Sequence, residues 1–420
     1  MRGIAQGAFQ RQFSPRPLSC PTCCRLQLRQ QHQRQRQQRH QPQQQQQRRR
    51  FANSAPPKPP PAGLAALPSR QLLSVSGPDA AKFLQGIITA NVTGPNGLPR
   101  TDAFYSGFLN ATGRVVHDIF IYPFHGRLAL PPTHQQEEDG GYLIEADASE
   151  MARFTKLVKR YKLRAKVTVR NISQNEASVW QAWNDDGDHH LSPTGGQQFS
   201  EIASNESRLV LRDRRAPGMG QRIIQMGSRT PEVDLETTTQ DAYTIRRYLH
   251  GVPEGQDEML REQALPLESN LDVMKGIDFH KGCYVGQELT IRTKHRGVVR
   301  KRILPCVIYD TDKAPPHSLL YEPDCASPET STADMIPAET SIGRCGKKGR
   351  SAGKWLKGVG NIGLGLCRLE IMTDVVLPGE QAAATYNPED EFVMEWGDEE
   401  NKSSVKVKAF VPEWLRRGLA

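Results

Sequence analysis

The first 78 residues of this 420-residue sequence contain no acidic side chain, and the first one is Asp79. Residues 1–50 hold 11 arginines and 16 glutamines instead. An arginine-rich start without acids is typical of a mitochondrial presequence, here lengthened by a glutamine tract. We therefore predict a targeting segment over residues 1–51, cleaved after Phe51, and a location in the mitochondrial matrix. An uncleaved, disordered basic tail is the alternative interpretation.

Long hydrophobic runs are also missing. No run approaches the roughly 18 uncharged apolar residues that a membrane helix needs, so we predict no membrane insertion. Of the 55 lysines and arginines, 11 lie in residues 1–50, which leaves 44 against 46 acidic residues and a net charge of −2. The formal net charge of +9 therefore belongs to the leader, and it does not support nucleic-acid binding.

Closely paired cysteines are absent beyond the leader. A Cys-x-x-Cys sequence at Cys20 and Cys23 would be removed with the targeting segment. A structural zinc ion or a resident iron–sulfur cluster is usually held by such pairs, so we predict no permanently bound metal or cluster. The odd number of remaining cysteines, in a reducing matrix, also argues against a disulfide framework. These remaining cysteines are Cys283, Cys306, Cys325, Cys345 and Cys367.

The rest of the sequence favours an α+β fold, because predicted strands and helices interleave without a regular βαβ order. We expect a proline-rich linker at residues 52–66 and an α+β region at residues 67–288. Helical spacing predicts an amphipathic helix at residues 149–164. Another helix is predicted at residues 239–250, closed by Gly251. A C-terminal antiparallel β-barrel is expected over residues 289–420, with a disordered insertion at about residues 310–351. Its strands are predicted at residues 289–293, 298–308, 363–371, 392–395 and 404–410.

The octapeptide Lys281-Gly282-Cys283-Tyr284-Val285-Gly286-Gln287-Glu288 is the most distinctive stretch. It fits neither helical nor strand periodicity, which predicts a loop. A nearby lysine lowers the pKa of a thiol, so Cys283 is a candidate nucleophile or soft ligand for iron, with Lys281 as its partner. A small buried hydrophobic side chain is the ordinary alternative for a lone cysteine. Polar neighbours such as Gln287 and Glu288 argue against burial.

A basic run follows the octapeptide. On a β-strand, Arg292, Lys294 and Arg296 would share one face. One interpretation is a sheet edge protected by charge. The other is an anion site beside Cys283, formed by Arg292, Arg296 and Arg300, for a ligand with several carboxylates or an acidic partner surface.

These motifs resemble those of a known family. The octapeptide, together with Pro266-Leu267-Glu268, Gly276-Ile277-Asp278-Phe279 and His295-Arg296-Gly297, is similar to the signature of the folate-binding-protein-like iron–sulfur cluster assembly factors. That family is distantly related to the glycine cleavage T-protein. The resemblance implies a T-protein-like (aminomethyltransferase-type) multidomain fold, with two interleaved α+β subdomains in residues 67–288 and the barrel after them.

The resemblance also implies a function. It indicates a non-catalytic factor that acts late in the maturation of mitochondrial [4Fe-4S] proteins of the aconitase and lipoate synthase types. A-type scaffold proteins and the apo-forms of these client proteins are the implied partners, and tetrahydrofolate is the candidate cofactor. Cys283 would be a transient ligand of a cluster or of a partner, with Lys281 beside it. Gly282, Tyr284, Gly286, Gln287 and Glu288 would support it.

A folate-dependent aminomethyl or one-carbon transferase is the alternative function. T-protein-like transferases tend to carry two adjacent aspartates after an Asn-x-x-Gly-Gly segment. The matching stretch here runs from Asn110 to Asp118, with Arg114 in place of the second glycine and a single acid. His117 is a candidate substitute base. A pure interaction module that uses neither thiol nor folate is a third possibility.

Overall fold

The computed structural model describes residues 55–94, 96–124, 140–185, 207–323, 332–347, 349–377, 386–398 and 401–419. The predicted targeting segment, its cleavage site and Cys325 lie outside these ranges. Among the residues within them, no helix combines the length and the apolar character needed to cross a membrane.

The first sheet has five strands in the order β10-β1-β7-β9-β8. These are β1 (Ala62–Ala66), β7 (Ala177–Asn184), β8 (Arg208–Arg212), β9 (Gln221–Met226) and β10 (Thr237–Thr238). Strand β1 pairs antiparallel with β7 and parallel with β10. It lies in the range predicted as a linker, so the end of that range is folded. Five residues next to a proline tract, four of them alanine or glycine, carry too little periodicity to predict a strand.

The second sheet is antiparallel throughout, in the order β3-β4-β5-β2-β6. Its strands are β2 (Arg70–Ser76), β3 (Phe104–Leu109), β4 (Val115–Phe124), β5 (Gly141–Asp147) and β6 (Thr168–Ile172). The chain enters the first sheet with β1, builds the whole second sheet, and returns to the first with β7. This topology, with the helices below, confirms two interleaved α+β subdomains.

Two helices cover the second sheet through one hydrophobic cluster. They are α1 (Ala80–Ile87) and α2 (Met151–Lys162). In α2, Phe154 and Val158 are buried and Lys159 is exposed, so the predicted amphipathic helix is confirmed. The second predicted helix is also confirmed as α3 (Gln240–His250), which ends at Gly251 in the left-handed conformation.

The C-terminal region forms a closed barrel, as predicted, in the order β11-β14-β13-β12-β15-β16. It consists of β11 (Lys301–Tyr309), β12 (Ser341–Arg344), β13 (Gly353–Val359), β14 (Ile362–Arg368), β15 (Phe392–Trp396) and β16 (Ser403–Ala409). Strand β16 pairs with β11 and closes the barrel. The prediction that residues 310–351 are a disordered insertion is wrong in part, because β12 lies within them. Its four residues gain their order from pairing with β13 and β15.

Two predicted strands are wrong where helices occur. Residues 289–293 belong to α4 (Gln287–Arg296), and residues 369–371 belong to the short helix α5 (Leu369–Met372). A last helix, α6 (Glu413–Leu419), follows the barrel. In α4, tertiary contacts of Leu289 and Thr290 override the β-preference of its branched side chains. Arg292 and Arg296 therefore lie one helical turn apart and not on a strand face with Lys294.

Candidate functional site

The loop that precedes α4 is fixed between α1 and the hairpin that joins β3 to β4. The backbone N–H of Val285 donates to the carbonyl of Gly86 at 3.0 Å. Gly286 has a φ of +77°, and a Cβ atom there would lie 2.2 Å from the carbonyl oxygen of Asn110. A Cβ atom on Gly113 would in turn lie 2.8 Å from the Gly286 carbonyl oxygen. Only glycines allow this close approach of the two backbones.

Lys281 anchors the start of the same loop. Its Nζ donates to the carbonyl oxygens of Gln85 at 2.9 Å, Ile88 at 2.7 Å and Ala90 at 2.8 Å. These acceptors lie at and beyond the C-terminal end of α1, where carbonyls lack helical partners. Burial lowers the pKa of Lys281 to about 7. Since an ammonium group has three donors, these three contacts use all of them. The geometry therefore gives Lys281 a backbone-holding role, and the predicted pairing with the thiol stays a prediction.

Cys283 is a free and exposed cysteine between these two attachments. The adjoining Gly282 is exposed as well, and a Cβ atom there would meet no heavy atom within 4 Å. On the other side, Tyr284 is 6 % exposed, and its N–H donates to the side-chain oxygen of Gln287 at 3.2 Å. The alternative of a buried hydrophobic cysteine is therefore wrong. A single thiol in open space, on a loop held at both ends, is available to an incoming ligand or protein.

The three predicted anion-binding arginines lie on two segments of the chain. Arg292 and Arg296 are exposed on α4, whereas Arg300 lines a cavity near Glu268 before β11. Glu288 is exposed in the first turn of α4, where a carboxylate interacts favourably with the helix dipole. Within the described part of the chain, no group of three or more His, Cys, Asp or Glu side chains is placed to hold a metal ion.

A buried ion network joins the two sheets, and it was not predicted from the sequence. Arg70 on β2 contacts Asp118 at 3.2 Å and Glu145 at 2.8 Å. Arg222 on β9 contacts Glu145 at 3.2 Å and Glu254 at 2.5 Å. Burial opposes ionisation of Glu254, but Arg222 and neighbouring arginines hold its pKa well below its ordinary value. Because acidic and basic side chains of both sheets alternate in this network, it holds the two subdomains together.

Asp118 and His117, which the alternative transferase would need, make other contacts in this structure. Asp118 is fully buried and also accepts the N–H of Gly255 at 3.0 Å. His117, its neighbour on β4, lies with its ring 4.6 Å from that of Phe154, and its Nδ1 is 3.1 Å from the Gln256 oxygen. Burial lowers the pKa of His117 to about 4. Both side chains are fully buried.

Comparisons with known proteins agree with this arrangement. Residues 300–417 match the family model of the CAF17 C-terminal β-barrel domain. The "iron-sulfur cluster assembly factor IBA57 homolog, mitochondrial" of Pyricularia oryzae is 54% identical over 366 residues, which cover 86% of each chain. The protein of the same name from Neurospora crassa is 48% identical and covers 84% of this chain and 81% of its own.

A solved structure shows the fold. The glycine cleavage system aminomethyltransferase T from Bartonella henselae superimposes with a TM-score of 0.52 over 83% of this chain and 85% of its own, at 12% identity. This likeness, with the closed barrel, confirms the aminomethyltransferase-type fold. The sequence relatives are similar enough, over enough of their length, to decide the family. The chain belongs to the IBA57 family of mitochondrial iron–sulfur cluster assembly factors.

Proposed function

We propose that this assembly factor presents Cys283 as a single thiolate ligand during a late step in the maturation of mitochondrial [4Fe-4S] proteins. The observation that carries the proposal is the exposure of Cys283 on a loop held by Lys281 at one side and by Gly286 at the other. An iron–sulfur cluster normally needs four protein ligands to stay in place. A single thiolate therefore binds one corner of a cluster in transit and releases it, so the cluster is cargo.

The other ligands of such a cluster must come from a partner. We assign this role to an A-type scaffold protein, and the recipients are apo-proteins of the aconitase and lipoate synthase types. The exposed side chains of Arg292 and Arg296 lie on the helix that follows the Cys283 loop. They suit an acidic partner surface, which would steer association electrostatically.

A reduced folate is the candidate small ligand, and binding fits this chain better than group transfer. The hydroxyls of Tyr105 and Tyr284 are buried in one hydrophobic cluster, without hydrogen-bond partners among the residues described. Such hydroxyls suit a ligand that carries hydrogen-bonding groups. Asp118, held by Arg70 and Gly255, does not suit the proton transfers of a one-carbon transferase. Tetrahydrofolate would therefore bind without turnover, which calorimetry and an aminomethyl-transfer assay on residues 52–420 would check.

Exchange of the thiol in a strain that lacks its native copy tests the main proposal. We expect Cys283→Ser and Cys283→Ala to lower aconitase activity and protein lipoylation at equal protein levels. Cys345 provides a matched control, because it is the second free and exposed cysteine of the described residues. Cys345→Ser should support normal activities. Normal aconitase activity and lipoylation in both Cys283 variants would refute the role of this thiol.

A further inference from the structure

A cavity of about 200 Å³ is lined by α4, residues 265–268 and parts of the barrel region. Leucine and valine side chains make up its apolar lining. Its polar lining is Thr290, Thr293, Glu268, Arg300, Lys301, Arg350 and Arg368. Four cationic side chains and one carboxylate therefore share a small volume.

Some of the cationic side chains in this cavity have partners, and Arg300 is one of them. Lys301 pairs with Glu268 at 3.1 Å. Arg368 donates from Nε to the carbonyl of Ser351 at 3.0 Å, and its two Nη groups have no partner among the described residues. Burial and then the charge of Arg350 lower the pKa of Arg368. Arg350 and Arg368 both line the cavity, so an anion bound between them would reduce the repulsion of their charges.

The cavity lining also contains a buried hydroxyl group without a hydrogen-bond partner. Thr290 is 2 % exposed, and its Oγ1 has no hydrogen-bond partner within the described part of the chain. Thr293, which also lines the cavity, donates to the carbonyl of Leu289 at 2.8 Å, as helical threonines commonly do. The hydroxyl of Thr293 is thus used within the helix, whereas the hydroxyl of Thr290 can donate to a ligand in the cavity. A buried hydroxyl without a partner calls for a ligand or a water.

We propose that this cavity binds the phosphate group of a small phosphomonoester. Such a group carries close to two negative charges at neutral pH and several acceptor oxygens. The planar guanidinium groups of Arg350 and Arg368 match those oxygens with paired donors, and Thr290 supplies a further donor. The apolar lining contacts the carbon part of the ligand. A carboxylate, with a single charge and two oxygens, matches the site less well.

The position of the cavity connects it to the rest of the molecule. Leu289 and Thr290 line it from the first turns of α4, and Gly286 at the start of that helix touches the β3–β4 hairpin. An occupied cavity therefore stabilises the helix that begins directly after the Cys283 loop. This site is separate from the thiol, and its occupancy does not depend on the cluster.

Isothermal titration calorimetry of the full chain at low salt tests the site with glycerol 3-phosphate, inorganic phosphate and acetate as probes. We expect saturable binding of glycerol 3-phosphate that is tighter than binding of either smaller anion. Arg350→Gln and Arg368→Gln should each weaken it by about tenfold or more, and Thr290→Val by about threefold or more. Arg350 is exposed, so its replacement leaves the fold intact.

Arg160→Gln is the matched control, because Arg160 is exposed on α2, outside the cavity. It should bind glycerol 3-phosphate like the wild type. The absence of saturable binding would overturn the proposal. So would equal affinity in the cavity variants and the wild type, or equal affinity for acetate. Binding of inorganic phosphate as tight as that of glycerol 3-phosphate would overturn the part assigned to the apolar lining.

Discussion

Replacement of Lys281 by methionine separates two roles for this lysine. As a partner of the thiol, it would raise the reactivity of Cys283; as an anchor, it would hold the loop to α1. Methionine keeps most of the apolar stem and removes the ammonium group. In the structure this group fills three backbone acceptors, the carbonyls of Gln85, Ile88 and Ala90. The anchor role therefore predicts a loss of stability.

The size of that loss follows from the contacts. A partly buried acceptor left without its donor costs about 1 kcal/mol at the low end, so three of them give about 3 kcal/mol. Lys281→Met should lower the free energy of unfolding by that amount. The amide of Val285, which donates to Gly86, should exchange faster with solvent because the loop loosens.

Urea denaturation and hydrogen exchange measure both effects. Lys82→Met is the control, because Lys82 is exposed on the same helix α1 that Lys281 contacts. It should change stability by less than about 0.5 kcal/mol. If Lys281→Met keeps wild-type stability and Val285 exchange but slows alkylation of Cys283 at pH 7, the anchor role is refuted and the thiol-partner role is favoured.

Three further predictions concern single residues. Gly286→Ala should destabilise the protein by at least about 2 kcal/mol, because a Cβ would collide with the Asn110 carbonyl, whereas Gly282→Ala, in open space, should be nearly neutral in the same denaturation assay. The pKa of His117 is lowered to about 4, so the unfolded chain binds the extra proton below pH 6.5. The free energy of unfolding of the wild type should therefore be lower at pH 5 than above pH 6.5, by about 2 kcal/mol. Urea denaturation of His117→Gln should not show this loss. Glu254→Gln should cost about 3 kcal/mol or more, because it leaves Arg222 with less compensating charge, and unchanged thermal stability would contradict this.

Sequence patterns predicted the elements that are determined by a few neighbouring residues. The amphipathic spacing of α2 and the glycine after α3 each follow from a few neighbouring residues, and both were predicted. The glycines of the octapeptide indicated a tight loop, and Gly286 proved to be one of its two attachments. The exposure of Cys283 also followed from its polar surroundings.

Features that depend on distant partners were not predicted. The acceptors of Lys281 lie more than 190 residues earlier in the chain, so its sequence neighbours could not identify them. The network from Arg70 to Glu254 assembles residues from two sheets, and no spacing marks them as partners. Helix α4 has β-branched residues and was predicted as a strand, because only its tertiary contacts favour the helix.

Anaerobic absorption and EPR spectroscopy of this chain mixed with a cluster-loaded A-type scaffold protein shows whether the exposed thiol of Cys283 supplies one ligand to a cluster held between two proteins. We expect a change in the cluster spectrum with the wild type and with Cys345→Ser, and the loss of that change with Cys283→Ser. An identical spectral change with Cys283→Ser would contradict this expectation.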